Sequence, residues 1–577
     1  MLSETRRLAC DVLVIGSGAA GCRAAIEAAE YGARVLLTSK GVFGKSGTTN
    51  LACVVYDAAV GHADPQDSPQ VQFEDTVVYG RFLSNQALVK VFTDEAVQSV
   101  YELERYGMEW WKTPDGRFLQ ITSPGLRYPR GLHNNEETGK KVQQALVREV
   151  RRGTRRTIEV VEDLFVTDLV VVDGRVVGAV GIDFKTGALT VIEARNVILA
   201  TGGLGMMYSV TDMEAGSTGE GITMAYRVGA ELIDMEMHQF FPTAFVYPES
   251  LRGIIVTSSA LWVLGLKLYN AQGERFMEKS YPEEKENVPR DILSRHIFLE
   301  IVGGRGTEHG GVWLDTRDIP NFDAIRKERP RTYLWKDRFG VKTERFEVAP
   351  TYHYTLGGIR IDVWGRTKVP GLYAAGECAG GVHGANRLAG NALPDCMAFG
   401  RVAGRHSALA LGPSVPIGDV AVERVRERVL ALVGDPAGGV PAGQVNRELR
   451  DVMYRQAGII RSGEDLRQGR ETVRTLRRRA GQMRTPGAPS PTFGLLRALE
   501  TEAMVELAEV IVESALLRTE SRGAHYRTDF PHVDNSQWLK NIVARRAPEG
   551  PVLHTVPVEL KYLSPEVIPI AVQSARL

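Results

Sequence analysis

The stretch Val-Ile-Gly-Ser-Gly-Ala-Ala-Gly, ending at Gly21, constrains the chain more than any other. An apolar run from Val12 to Ile15 leads into Gly16, Gly18 and Gly21, and an alanine-rich helical pattern (Ala24, Ala25, Ala28, Ala29) follows. Strand, glycine turn and helix together read as a dinucleotide-binding fingerprint. Gly16 permits the tight turn. Gly18 lets the backbone, with Ala19 and Ala20 opening the helix, approach a pyrophosphate, and Gly21 lets helix and strand pack closely. The helix N-terminus then offers free N–H groups and a positive dipole end to phosphate. A second strand, Ala33 to Leu37, is expected to end on a ribose-binding carboxylate, but Thr38-Ser39-Lys40 stands there. The Gly/Ser/Thr-rich loop from Gly41 to Asn50 suits close approach to a cofactor.

With 577 residues the chain exceeds a single core, so two to four domains are expected. Lys plus Arg equals Asp plus Glu at 70 each, which gives no general attraction to nucleic acid or anionic membrane. The five cysteines (Cys10, Cys22, Cys53, Cys378, Cys396) contain no C-x-x-C pair, so they point to no iron–sulfur or zinc cradle and no disulfide framework. No metal site is expected. Arg6-Arg7 precedes an apolar run too short for an export signal, and no apolar segment reaches the roughly 18 to 20 residues of a membrane span. The expectation is a soluble, cytoplasmic chain.

Residues 86–112 read as a helix with Tyr101, Leu103 and Trp110-Trp111 as core anchors, and a further helix runs to about Arg151. Residues 157–200 alternate like strands about an Asp173-Gly174 turn and end on Ala200-Thr-Gly-Gly203, a second place where backbone can meet a dinucleotide. Residues 245–345 are less apolar, as an inserted domain would be. Glycine-rich segments resume at Thr355-Leu-Gly-Gly358 and run to Asn391. Beyond the boundary at Gly412–Gly418, residues 419–522 are helical with charged faces. Arg477-Arg478-Arg479 shares a helix with Glu464 and Glu471, which reads as a solvated face.

Several motifs in order then resemble one family: Ser39-Lys40, Ala200-Thr-Gly-Gly203, Thr218-Gly-Glu-Gly221, Gly273-Glu-Arg-Phe-Met277, Arg290-Asp-Ile-Leu-Ser-Arg295, His353-Tyr-Thr-Leu-Gly-Gly358, Gly376-Glu377, His383-Gly-Ala-Asn-Arg-Leu388 with Asn391, and Arg518-Thr-Glu-Ser-Arg-Gly-Ala-His525. The chain resembles the flavoprotein subunits of succinate dehydrogenase and fumarate reductase, with L-aspartate oxidase and, more distantly, the adenylylsulfate reductase flavoprotein. The resemblance implies an α/β fold: a Rossmann-like FAD-binding domain in two pieces (1–244 and 351–412) with an inserted α+β capping domain (245–350). A helical domain (419–530) and a C-terminal extension (531–577) would follow. It implies FAD held by Gly16, Gly18, Ala19, Ala20, Ser39, Lys40, Ser46, Gly47, Thr48, Ala200, Thr201, Gly202, Glu220, His353, Gly376, Glu377, Arg387, Asn391 and Leu393. It also implies that Arg295 exchanges a proton opposite flavin N5, while His353 and Arg387 hold a substrate carboxylate. A forked guanidinium suits that grip.

Four departures bear on function. Gly47 in Lys45-Ser46-Gly47-Thr48 stands where many relatives carry the histidine that binds FAD covalently, so non-covalent FAD is expected. In His238-Gln-Phe-Phe-Pro-Thr243, Phe241 replaces a histidine for the second carboxylate. Ser258-Ser259-Ala260 replaces a Thr-Glu-Gly segment, so the relay glutamate becomes Ser259, and Leu261-Trp-Val-Leu264 replaces an Arg-Gly-Glu. One end of the pocket thus loses its cation, and burying a carboxylate there without a partner costs several kcal/mol. His238 or Arg252 shifting into the gap is the competing expectation. The reading is hydride transfer at flavin N5 to or from a carbon next to a carboxylate, on a substrate other than fumarate or succinate. The alternatives are an L-aspartate-oxidase-like amino acid oxidase, or an electron-transfer subunit with a separate iron–sulfur partner that could hold it at a membrane surface.

Overall fold

The computed structural model describes residues 2, 4–53, 55–153, 157–256, 265–319, 338–340, 344–435, 438–486 and 493–567. Strand β1 (Thr5–Ile15) is open to solvent at its start and wholly buried from Val12 onward, as a parallel strand covered on both faces must be. β2 (Val35–Thr38) pairs with it in parallel, Val12 opposite Val35 and Ile15 opposite Thr38. With β3 (Ile158–Val161), β4 (Leu164–Val172), β5 (Arg175–Asp183), β6 (Leu189–Leu199) and β11 (Leu372–Ala374) they form a seven-stranded sheet ordered β3-β2-β1-β6-β5-β4, with β11 joining at β6. Asp173 and Gly174 both take positive φ between β4 and β5, the turn that matches strand twist in a hairpin. α1 (Ala19–Glu30) packs on α4 (Ala392–Leu409), where Gly400 and Gly404 lie against the Ala20 and Ala24 carbonyls. Helices also cover Gln86–Arg105 and Thr138–Gly153, and Trp110 is buried as a core anchor. The parallel strands β1, β2, β6 and β11 end along one edge, so the segments that follow them share a crevice, the usual ligand position in such sheets.

β7 (His238–Phe245), β8 (Lys267–Tyr269), β9 (Val312–Asp315) and β10 (Arg345–Thr355) make an antiparallel sheet ordered β7-β10-β9-β8. α3 (Arg290–Glu300) packs on it, and the Ser294 hydroxyl donates to the Phe240 carbonyl over 3.1 Å. Phe245, Leu268, Met277, Ile292, Leu314 and Val348 belong to a second hydrophobic core separate from that of the large sheet.

α5 (Asp419–Leu430), α6 (Ala442–Gln456), α7 (Gly463–Ala480) and α8 (Phe493–Leu517) form the helical part, with α8 buried almost all round. Arg477 and Arg479 pair with Glu509 and Glu448, so the arginine run is a charge-matched face. The hairpin β12 (Lys540–Ala547) and β13 (Gly550–Pro557) joins a five-stranded sheet with Leu232–Ile233, Gly358–Arg360 and Ala379–Gly380. The C-terminal segment is therefore built into the sheet-bearing part of the molecule. All five cysteines are free thiols. Among the described residues no helix is long and apolar enough to cross a membrane.

Candidate active site

The crevice at the strand ends is shaped by close backbone contacts. Gly16 has φ +105, and a Cβ there would lie 2.2 Å from the Ala200 carbonyl oxygen. A Cβ on Gly21 would lie 1.8 Å from the Gly16 carbonyl oxygen. Gly18 faces only the Thr49 hydroxyl, at 3.3 Å, and Ala19 N–H donates to that hydroxyl over 3.0 Å. Ser39 bonds Ser17 at 2.8 Å and Ser46 at 3.4 Å, and Thr48 bonds Ser217 at 3.2 Å. Lys40, standing where an acid is usual, pairs with Glu220 at the start of α2 (Glu220–Arg227) and with Glu500 of α8 at 2.6 Å.

Gly47 and Gly202 both take positive φ with open space around the missing Cβ. The Thr201 hydroxyl and the Asn391 side-chain oxygen are buried without a hydrogen-bond partner. Glu377, beside Gly376, accepts from Thr355 N–H over 2.9 Å, and burial pushes its carboxyl up to about 7. Leu393 is buried in the first turn of α4. A helix N-terminus, two open glycine turns and partnerless polar atoms at the ends of four parallel strands fit a dinucleotide.

Next to this crevice the two sheets bring one histidine, two arginines and a phenyl ring together. Gln239 pairs with Tyr354 and Phe240 with Tyr352, so His353 is the extra residue of a β-bulge in β10. Bulges of this kind re-aim a side chain. The His353 ring lies 5.3 Å from the Phe241 ring, and its Nδ1 is 2.7 Å from Asp212 Oδ2. The Arg290 guanidinium, from the first residue of α3, sits 4.9 Å over the same Phe241 ring. Burial, with repulsion from Arg387, lowers Arg290 to about 10, so it stays a cation at neutral pH. Arg387 lies 4.5 Å over the Tyr354 ring and donates to the Leu388 carbonyl over 3.1 Å. Its Nε is buried without a partner, and among the described residues it forms no salt bridge. Burial lowers the His353 imidazole, helped by Arg290 and Arg387 and opposed by Asp212. The cluster can grip an anion and present a cation to its neighbour.

A family model described as "FAD binding domain" matches residues 11–393, and one described as "Fumarate reductase flavoprotein C-term" matches residues 446–573. The chain belongs to the fumarate reductase and succinate dehydrogenase flavoprotein family. It is 40% identical over 550 residues to a fumarate reductase (CoM/CoB) chain of Methanothermobacter marburgensis, covering 95% of this chain and 99% of that one. It is 35% identical over 575 residues to a Mycobacterium tuberculosis fumarate reductase flavoprotein, covering 94% and 95%. Mycobacterium smegmatis Sdh1 superposes with a TM-score of 0.89 at 34% identity over 99% of this chain and 98% of that one. FAD is the cofactor of this flavoprotein family, and the crevice fits it. The chain is an FAD-dependent oxidoreductase.

Within this flavoprotein, Arg295 does not join the cluster. Its guanidinium stacks 4.2 Å over Tyr526 and lies 3.9 Å from Asp291, in a cleft shared with Ile459 and Gly523 of the helical part. Five residues apart on one helix, Arg290 and Arg295 are about 140° apart, so only one can face His353. That one is Arg290. The structure thus sets Arg290, not Arg295, beside His353 and Phe241. Asp212 was also missed, because its partner is 141 residues away in sequence. Arg290 follows Pro289 at the N-terminus of α3.

His238 and Arg252 are each held by other partners. His238 is fully buried, with Nε2 2.7 Å from the Met235 carbonyl, and burial with the charge of Arg461 lowers it to about 3. Arg252 pairs with the neighbouring, exposed Glu249 at 2.7 Å. Ser258, Ser259 and the run from Leu261 to Leu264 lie outside the described residues.

Proposed function

We propose that this flavoprotein exchanges hydride at a carbon–carbon bond next to a single substrate carboxylate, CH–CH to C=C or the reverse. Phe241 carries the reading: its ring meets both His353 and Arg290, where the family resemblance places a cation for a second carboxylate. A second carboxylate against Phe241 would be buried without a partner, costing several kcal/mol. Bound FAD supplies hydride exchange at its N5.

Arg387 and His353 hold the carboxylate, by a charge-assisted guanidinium contact and a ring nitrogen. Arg290, a half-buried cation at the edge of the same cluster, moves the proton at the adjacent carbon and offsets charge developing there. Tyr79, Pro124, Val288 and Leu293 line the cleft beyond Phe241 and Arg290, an apolar surround for the other end of the substrate. FAD is held without a covalent bond, since Gly47 offers no ring nitrogen to a flavin methyl. An iron–sulfur partner accepts or supplies the electrons, as family membership suggests, and with no cysteine pair in this chain that centre lies on the partner.

The test is anaerobic stopped-flow reoxidation of the dithionite-reduced enzyme by fumarate, crotonate and trans-cinnamate. Fast reoxidation by a monocarboxylate and not by fumarate supports the reading. The reverse order overturns it, and reoxidation by none with fast oxidation of an amino acid would favour oxidase chemistry.

A further inference from the structure

We propose that the Asp212–His353 pair couples binding of a substrate carboxylate to the uptake of one proton from solvent. The inference rests on the reading that His353 meets that carboxylate. Nδ1 of His353 is 2.7 Å from Asp212 Oδ2, and an ionised carboxylate only accepts. The Nδ1 position therefore carries the hydrogen. In the neutral ring Nε2 is then a bare acceptor, and it presents a lone pair to the oxygens of any arriving carboxylate. A grip requires that Nε2 first take up a proton.

Three charged groups face the ring: Asp212 from the loop before α2, Arg290 from α3 and Arg387 from the loop before α4. Burial and the two guanidinium ions lower the His353 imidazole, and Asp212 alone opposes them. An arriving carboxylate adds a second opposing charge on the other side of the ring. One proton leaves solvent, one N–H bond forms at Nε2, and the imidazolium lies between two carboxylates. Asp212 Oδ1 is buried without a hydrogen-bond partner, so Oδ2 carries that carboxylate's one hydrogen bond. Tyr352 and Tyr354, flanking His353 on β10, are held well above their usual range by burial and stay neutral. Asp212 is thus a positioning residue whose charge sets the protonation of His353.

The test is isothermal titration calorimetry of the oxidised, FAD-loaded enzyme at pH 8 in phosphate, HEPES and Tris, whose ionisation enthalpies differ. Trans-cinnamate and fumarate are titrated separately, with the flavin absorption band reporting entry to the site. The expected result is uptake of about one proton per ligand bound, and affinity falling about tenfold per pH unit above neutrality. Asp212→Asn should still bind while uptake falls toward zero, because the amide can donate to Nδ1 and leave Nε2–H facing the ligand. His353→Gln, which keeps a donor and cannot be charged, should also lose the uptake. A purely structural Asp212 would change affinity and leave the proton count alone. Binding without uptake in the unmodified enzyme overturns the coupling, as does uptake that survives either substitution. Entry of fumarate alone overturns the single-carboxylate reading and still tests the coupling. Entry of neither ligand overturns both.

Discussion

Arg290 and Arg295 lie on one helix in different surroundings. Arg290→Ala removes the half-buried cation beside His353 and Arg387. Turnover should fall by about 10²- to 10⁴-fold, the usual range for a lost proton-transfer group, with flavin absorbance retained. Arg295→Ala removes a contact over Tyr526 worth about 0.5–1 kcal/mol and should leave turnover within about threefold. Steady-state rates and flavin content of the two variants check this. Asp57 is a second residue with a pH signature. It is fully buried with both oxygens lacking a partner, and burial raises its carboxyl to about 7 despite Arg130 and Arg387. The folded chain therefore holds this proton between pH 3.8 and 7 while the unfolded chain releases it, so stability falls as pH rises through that window. Asp57→Asn should raise the melting temperature at pH 8 and change it little at pH 4, by on the order of 4 kcal/mol at most between those limits. Thermal melts at the two pH values decide it.

Among the elements, the β1–α1 turn was the most legible in the sequence, because its glycines answer to local sterics. Gly21→Ala puts a Cβ 1.8 Å from the Gly16 carbonyl oxygen and must push helix from strand. It should cost upwards of about 2 kcal/mol, in the range of overpacked cores, and leave little flavin bound. Gly18→Ala meets only a hydroxyl at 3.3 Å, so it should fold and lose FAD affinity selectively. The ratio of flavin to protein absorbance, read with the melting temperature, separates these outcomes. By contrast, the bulge that turns His353 toward Phe241 was not legible. It arises from a register slip between Gln239 and Phe240 that no local pattern in either strand reports. Which arginine of the Arg290–Arg295 motif faces His353 was not legible for a related reason: only the packing of α3 on β7 shows it.

At the scale of the molecule, charged side chains tie the parts together at the site. Asn386, beside Arg387, donates to Asp291 of α3 over 2.8 Å and accepts from Gln239 of β7 over 2.8 Å. The segments that carry Arg290 and Arg387 are thus linked through one amide. Arg518, at the end of the helical part, is fully buried against Glu236, Glu520 and the Lys540 carbonyl. It joins the segment before β7 to the C-terminal hairpin. Arg518→Met leaves the buried Glu236 without its cation, while Glu520 keeps Arg522 at 2.7 Å, and should cost about 3–5 kcal/mol, read from urea unfolding. Family membership and cofactor were legible in the ordered motifs along the chain, because glycine turns and charged loop residues keep their spacing. The relation of Asp212 to His353 was not, because it exists only once distant loops pack together.

The central claim is that Phe241 leaves room for one carboxylate, and the most direct measurement is the ratio of reoxidation rates with trans-cinnamate and fumarate in the parent enzyme and in Phe241→His. Cinnamate should be faster in the parent, and restoring the cation should raise the fumarate rate at least about tenfold, which is about 1.4 kcal/mol. Fast fumarate turnover in the parent, unchanged by Phe241→His, would contradict it.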